Sequence, residues 1–255
     1  LDVSLSITGI AALLAAGVIG GFINTLAGGG SMLTLPALML IGMPADIANA
    51  TNRVGVLFQS LAGVKGFKDQ DKLDSSAVGP VLIPTLLGAL VGSLFAAFLP
   101  VVVLKPILLG TMVTLALVML IKPGAVIPEP GTEPYKVFER PTAAVMLFGA
   151  GVYGGFVQAG VGFILIAALA GGLRYDLVRT NALKMVCTAA FSIVALIVFI
   201  SRDQVLWVPG LLLAAGMVAG ATLSVRVAIN VPQNALKWLL FVMVTLTCVG
   251  ALLFD

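Results

Sequence analysis

The stretch GVIGGFINTLAGGGS, residues 17–31, ends a long apolar run with an asparagine, a threonine and three consecutive glycines. The residues before it, from about position 4, read as membrane-quality helix. Each glycine weakens a helix by roughly 1 kcal/mol relative to alanine, so a triplet stops it. In hydrocarbon, non-helical backbone is tolerated only where it is buried in protein or lines a cavity. A related stretch, GVYGGFVQAGVG, stands at 151–162. The fold follows from these two places.

The composition identifies the solvent. Hydrophobic residues make up 60% of the 255 residues and charged residues 10%, too little charge to cover a soluble domain. The apolar runs are continuous rather than alternating, which excludes a β-barrel. The chain is therefore an all-α, polytopic membrane protein. A net charge of +3, scattered along the chain, does not suggest nucleic acid. There is no histidine, which removes the commonest metal ligand and general base. Cys187 and Cys248 each lie in an apolar stretch, so neither a disulfide framework nor a metal or cofactor motif is expected. The opening LDVSLSITGIAALLAAGVIGGF lacks a basic flank and its pattern recurs later, so it is read as part of the fold rather than a signal peptide.

Apolar segments fall at about 4–27, 31–43, 47–66, 76–99, 101–122, 141–159, 161–172, 177–201, 205–228 and 232–254. Eight are long enough to span. Those at 31–43 and 161–172 are too short to cross a core of about 30 Å at about 1.5 Å per residue. The polar, proline-rich KPGAVIPEPGTEPYKVFERP, 122–141, reads as a linker. It divides a duplicated chain: a first transmembrane repeat at 1–122, a cytoplasmic linker at 123–140 and a second repeat at 141–255. GVIGGFIN (17–24) matches GVYGGFVQ (151–158), and GMPADIANATN (42–52) parallels GLRYDLVRTNA (172–182). The pair Gly88 and Gly92 parallels Gly216 and Gly220, PVVVLK (100–105) parallels PQNALK (232–237), and MVTL stands at 112–115 and 243–246. Such repeats are a signature of transporter folds.

Charge relates the repeats. If the short segments are ignored, the 14 Lys and Arg split evenly between the two sides. If each short segment returns the chain to the side it came from, Lys65, Lys68, Lys72, Lys122, Lys136, Arg140, Arg174, Arg179, Lys184, Arg226 and Lys237 share one side. Only Arg53, Lys105 and Arg202 then fall on the other, a positive-inside pattern. Each repeat becomes a re-entrant helical hairpin with a Gly turn, followed by three transmembrane helices. That odd number of crossings makes the topology inverted and puts both termini outside. The short second legs favour hairpins that stop at mid-depth.

The polar groups inside this framework are the candidate site. Gly28, Gly29, Gly30 and Ser31 open one short helix, and Gly160 and Gly162 precede the other. Helix N-termini present free N–H groups and a positive dipole end, which suits an anion. Inversion sets the two turns face to face. Glycine also serves close helix packing, the reading preferred for Gly17, Gly21, Gly88, Gly92, Gly151, Gly155, Gly216 and Gly220. Asn24 and Gln158 end the first legs. Thr51, Asn52 and Arg53 begin one long helix, and Thr180, Asn181 and Lys184 begin its partner. Ionisable groups inside spans default to functional roles; snorkelling to the headgroups is the alternative for the two cations. Asp46 and Asp176 stand where helix N-caps belong, and Arg174 and Arg179 read as interfacial. Lys184 and Cys187 on one helical face form the only constellation that suggests enzyme chemistry.

The GG-F-x-[NQ] helix end, the Gly-rich turn, the short helix with Pro36, then Gly42 and an A-x-x-[ST]-N helix start resemble the sulfite exporter TauE/SafE family, over nearly the whole chain. In the second half GVGF replaces the glycine run and Ala167 stands opposite Pro36. The resemblance implies a bacterial inner-membrane permease for sulfite, sulfoacetate or a related organosulfonate, working by alternating access and as an exporter. The partners expected are a small-molecule anion and membrane lipid, with room for a homo-oligomer. An anion channel of the same architecture is the alternative. No P-loop is present, and no carboxylate lies deep in a span, so a side-chain proton relay has no obvious members.

Overall fold

The structure is a computed structural model that describes residues 6–121, 128 and 132–230. The expected last span at 232–254, the parallels PQNALK and MVTL at 243–246, and Lys122, Lys237 and Cys248 lie outside the described residues.

Besides a short 3-10 turn at Val137–Glu139, the described residues form nine α-helices. They are α1 (Ile7–Leu26), α2 (Ser31–Leu40), α3 (Ala45–Lys68), α4 (Ser75–Phe98), α5 (Val101–Ile121), α6 (Pro141–Phe156), α7 (Val161–Ile166), α8 (Leu177–Ile200) and α9 (Trp207–Asn230). Their starts follow capping chemistry. Ser6 caps α1 through Gly9 N–H, Asp74 caps α4 through Ser76 and Ala77, and Asp176 caps α8 through Val178 and Arg179. Pro44 precedes α3 and Pro141 opens α6, where a missing N–H is harmless. Asp46 is therefore not the cap expected of it. It is the second residue of α3, where its charge faces the positive end of the helix dipole.

Among the described residues four helices, α1, α4, α8 and α9, are long and apolar enough to cross a membrane. Of the eight spans expected, the one at 232–254 lies outside the described residues, and those at 47–66, 101–122 and 141–159 fall on α3, α5 and α6. α3 has the length, 24 residues, but Asp46, Asn49, Thr51, Asn52 and Arg53 interrupt its apolar character. α6 has 16 residues, about 24 Å of rise.

Three core clusters mark the ends of the bundle. Phe67, Leu177, Val225 and Ala228 pack together, so the end of α3, the start of α8 and the end of α9 meet. Ala77, Ala143 and Tyr175 place the starts of α4 and α6 with the start of α8. At the other end Ala50, Ala97, Phe199 and Val205 bring together the start of α3, the end of α4 and the turn between α8 and α9. Lys65, Lys68, Lys72, Arg140, Arg174, Arg179 and Arg226 thus share one end.

α1 and α2 form a hairpin that returns to its own side. Leu40, Ile41 and Gly42 line a cleft with Ser6, Thr8 and Gly9, so the end of α2 comes back beside the start of α1. The ten residues of α2 rise about 15 Å, half a span. α7 continues from Ala167 to Gly172 as a π-helical stretch. In this second hairpin the π turn begins where Pro36 stands in α2, so both short legs carry a break in regular helical hydrogen bonding.

Glycine pairs fasten the hairpins to the bundle. Gly17 and Gly21 lie against Leu213 and Met217 of α9, with Gly216 and Gly220 lying against Leu14 and Val18 in return. Gly88 and Gly92 of α4 meet Phe148 and Val152 of α6, answered by Gly151 and Gly155 against Thr85 and Ala89. A Cβ at Gly17 would stand 2.7 Å from Leu213 O, so backbone rather than side chain sets the spacing. Phe95, Phe98, Val102, Val145, Ile197, Val208 and Leu223 are exposed. An outer face of this kind belongs against lipid.

Candidate functional site

α1 ends at Leu26, and Gly28 turns the chain with φ +91°, a left-handed conformation that glycine adopts without a steric cost. Gly30 then packs on Gly20 and Asn24 of α1. The N–H groups of Gly29, Gly30 and Ser31 close no hydrogen bond among the described residues. In the second hairpin α6 ends at Phe156 and two residues take left-handed backbone, Gln158 at +66° and Gly160 at +78°. The Tyr153 hydroxyl donates to Ala159 O at 2.7 Å and holds this turn. The two turns meet: a Cβ on Gly28 would collide with Gly162 backbone, and one on Gly162 with Gly28.

Around this contact the polar side chains are buried and partly paired. Asn24 Nδ2 donates to Gln59 Oε1 at 3.2 Å, and Gln59 Nε2 donates to Thr25 Oγ1 at 3.3 Å. Thr34 Oγ1 donates to Asn52 Oδ1 at 2.7 Å, and Gln158 Nε2 donates to Ser192 Oγ at 3.0 Å. The polar atoms left over are more telling. Ser31 Oγ, Asn52 Nδ2, Asn181 Nδ2, Gln158 Oε1 and Arg53 Nε are buried without a hydrogen-bond partner among the described residues. Most buried polar atoms are satisfied; Asp46 Oδ1, Ser60 Oγ and Gln204 Oε1 are also left without a partner among the described residues, and the five above are those on the site residues expected from the sequence. Four of them can donate.

The two cations do something sequence reading did not anticipate. Arg53, fully buried on α3, donates through Nη1 to Gly154 O and through Nη2 to Gly155 O at 3.0 Å. Its guanidinium stands 5.6 Å from the Phe199 ring centroid. Asn49 beside it donates to Phe156 O at 2.9 Å. Arg53 and Asn49 together cap the carbonyl end of α6. Lys184, fully buried on α8, donates to Thr25 O at 2.8 Å and to Asn181 Oδ1 at 2.8 Å. It caps the carbonyl end of α1. Each long helix thus sends a cation to the broken helix of the opposite hairpin, where the dipole is negative. Among the described residues neither cation has a carboxylate partner, the ion pairs there being Lys65–Asp69, Lys136–Glu139 and Arg179–Asp176.

The other expected residues are placed as follows. The Thr51 hydroxyl accepts Leu206 N–H at 3.0 Å, and Thr180 Oγ1 donates to Tyr175 O at 3.2 Å, so both hydroxyls serve local structure. Thr51 and Asn52 lie inside α3, beyond its first turn rather than at its start. Arg174 Nη1 donates to the Tyr135 hydroxyl at 3.2 Å, and Arg179 Nη2 donates to Thr132 O at 3.1 Å, pinning the linker. Lys184 points to α1 while Cys187 faces Thr85 Oγ1 at 4.0 Å, which separates that pair. Sequence reading missed Thr25, Thr34, Gln59 and Ser192. Gln59 offered a signal, being an amide deep inside an otherwise apolar stretch of α3.

A family model described as sulfite exporter TauE/SafE matches residues 13–251 of the chain. Among curated proteins, a probable membrane transporter protein of Haemophilus influenzae is 26% identical over 240 residues, covering 92% of this chain and 91% of its own. A probable membrane transporter protein ORF9 of Sinorhizobium sp is 29% identical over 235 residues, covering 91% and 88%. A probable membrane transporter protein YfcA of Escherichia coli K12 is 26% identical over 240 residues, covering 93% and 87%. No solved structure matches.

Proposed function

Since the chain belongs to the sulfite exporter TauE/SafE family, we propose that it is a secondary transporter of a small sulfur-containing anion, such as sulfite, sulfoacetate or a related organosulfonate. It works in the bacterial inner membrane by alternating access, in the outward direction. One observation carries the anion reading. Among the described residues, buried donors without partners, Ser31 Oγ, Asn52 Nδ2 and Asn181 Nδ2, belong to a core that also holds two cations and no carboxylate paired with them. A buried charge without a counter-charge is costly, and a bound anion would supply one.

In this reading the anion lies between the Gly turns. The N–H groups of Gly29, Gly30 and Ser31 and the amides of Asn52 and Asn181 bind it, with Asn24, Gln158, Gly28, Gly160, Gly162, Thr51 and Thr180 shaping the walls. Arg53 and Lys184 act from behind as fixed positive charge. Residues 1–122 and 141–255 are inverted repeats joined by a cytoplasmic linker, and the basic end of the bundle faces the cytoplasm. Both termini are then periplasmic. Movement of one repeat against the other parts the Gly28–Gly162 contact and exposes the site to one side at a time. The chain is read as a carrier and not an enzyme.

The test is a thermal-shift titration of detergent-purified protein with sulfite, thiosulfate, sulfoacetate, taurine, sulfate and chloride at fixed ionic strength. Stabilisation by one sulfur anion that disappears in Gly29→Leu supports the reading and names the substrate. Equal response to all six, or to none, refutes it.

A further inference from the structure

The carbonyl end of α1 lies inside the bundle and not at its surface. A helix that stops inside a membrane leaves unpaired carbonyls and the negative end of its dipole. In transporters built from broken helices, such ends and the unwound backbone beside them are where a coupled cation binds. Here the position already holds a cation, and it belongs to the protein. Lys184 Nζ is 2.8 Å from Thr25 O and 2.8 Å from Asn181 Oδ1. Both acceptors are neutral oxygens, the ligand type that hard cations take. The ammonium is a compact point charge on a flexible stem, with the stem on α8 and the charge seated on α1. Among the described residues no carboxylate pairs with it.

We propose that the Lys184 ammonium is a tethered replacement for a coupling cation, so that anion transport by this chain needs no sodium ion. Shortening the side chain then opens a seat, bounded by Thr25 O and Asn181 Oδ1, that a small monovalent cation fills. The same is not expected at Arg53. Its planar fork binds two successive carbonyls, Gly154 and Gly155, and a spherical ion does not reproduce that geometry. The inference rests on the transporter reading, and the experiment separates the two.

Purified protein in liposomes is loaded with unlabelled sulfite, and entry of labelled sulfite is followed with sodium outside or with N-methylglucamine in its place. Wild-type rates in the two media agree within about twofold. Lys184→Ala is slowed about tenfold without sodium and recovers most of that loss when sodium or ammonium is added. A sodium requirement in wild type overturns the proposal. So does a folded Lys184→Ala that responds to none of sodium, potassium and ammonium. Melting of detergent-purified protein reads the same seat without transport, because a cation that binds only the native state raises the melting temperature. Sodium raises it for Lys184→Ala and not for wild type, at constant ionic strength. Should the variant not fold, sodium-dependent flux or melting of wild type still overturns the proposal, and their absence supports it. Should wild type move no sulfite in either medium, the transporter reading for that anion fails, and the melting comparison still decides the seat.

Discussion

Gly28 and Gly42 are a matched pair. Both hold left-handed backbone, at φ +91° and +94°, so an added Cβ brings each the same conformational cost of about 1–2 kcal/mol. Their surroundings differ. Among the described residues nothing stands within 4 Å of a Cβ at Gly42, whereas at Gly28 it runs into Gly162 backbone. Backbone does not rotate away, so the two turns must separate, and overpacking of this kind adds about 1–3 kcal/mol. Gly42→Ala is therefore expected to lose about 1–2 kcal/mol of unfolding free energy, and Gly28→Ala about 2–5 kcal/mol. Denaturant titration in mixed micelles, followed by tryptophan emission, measures both. The two Trp in the chain include Trp207 at the start of α9. Equal losses refute the claim that the turns touch. A larger loss at Gly42 refutes the placement of that loop in open space.

Arg53→Met leaves Gly154 O and Gly155 O without donors and is expected to lose about 2–4 kcal/mol, read by the same titration. Arg53→Lys, which cannot fork across two carbonyls, falls between. At Gly110 and Gly149, where nothing among the described residues lies within 4 Å of an added Cβ, alanine is expected to stabilise by about 0.5–1 kcal/mol. At Gly92, against Val152 backbone, alanine destabilises, and melting curves separate the two classes. The Tyr135 phenol lies below its ordinary range because Arg174 hydrogen-bonds it and adds its charge, with Arg140 helping. Arg174→Met moves its ionisation to higher pH, visible as phenolate absorbance in an alkaline titration. Single cysteines at Asp69 and Asp203, in a background with both native cysteines replaced, are labelled by an impermeant maleimide from opposite faces. Labelling from one face refutes the topology.

The hairpins were legible because a glycine triplet ends a helix and the apolar runs at 31–43 and 161–172 are too short to cross a membrane. The glycine pairs of α1 with α9 and of α4 with α6 were legible as packing residues from their spacing of four, though not which helices they join. Other features depend on contacts distant in sequence. Gly28 reads as a ligand-contact glycine by itself, and only the approach of Gly162, far along the chain, gives it a packing role. Arg53 and Lys184 are visible as buried cations, but their acceptors are main-chain carbonyls, which carry no sequence signature. The π turn at Ala167–Gly172 is hidden for a different reason. Its residues suit an α-helix equally well, so the sequence suggested only that Ala167 lacks the proline of the first hairpin. Asp46 was misplaced because Pro44 starts α3 earlier than a side-chain cap at Asp46 would.

Counterflow most directly tests the claim that the two Gly turns bind and carry an anion. Liposomes loaded with unlabelled sulfite and diluted into labelled sulfite should show a transient, saturable accumulation of label. Asn52→Leu and Asn181→Leu should each reduce it about tenfold while melting cooperatively. Flux that rises linearly with concentration and shows no exchange, or variants that accumulate label as wild type does, would contradict the account.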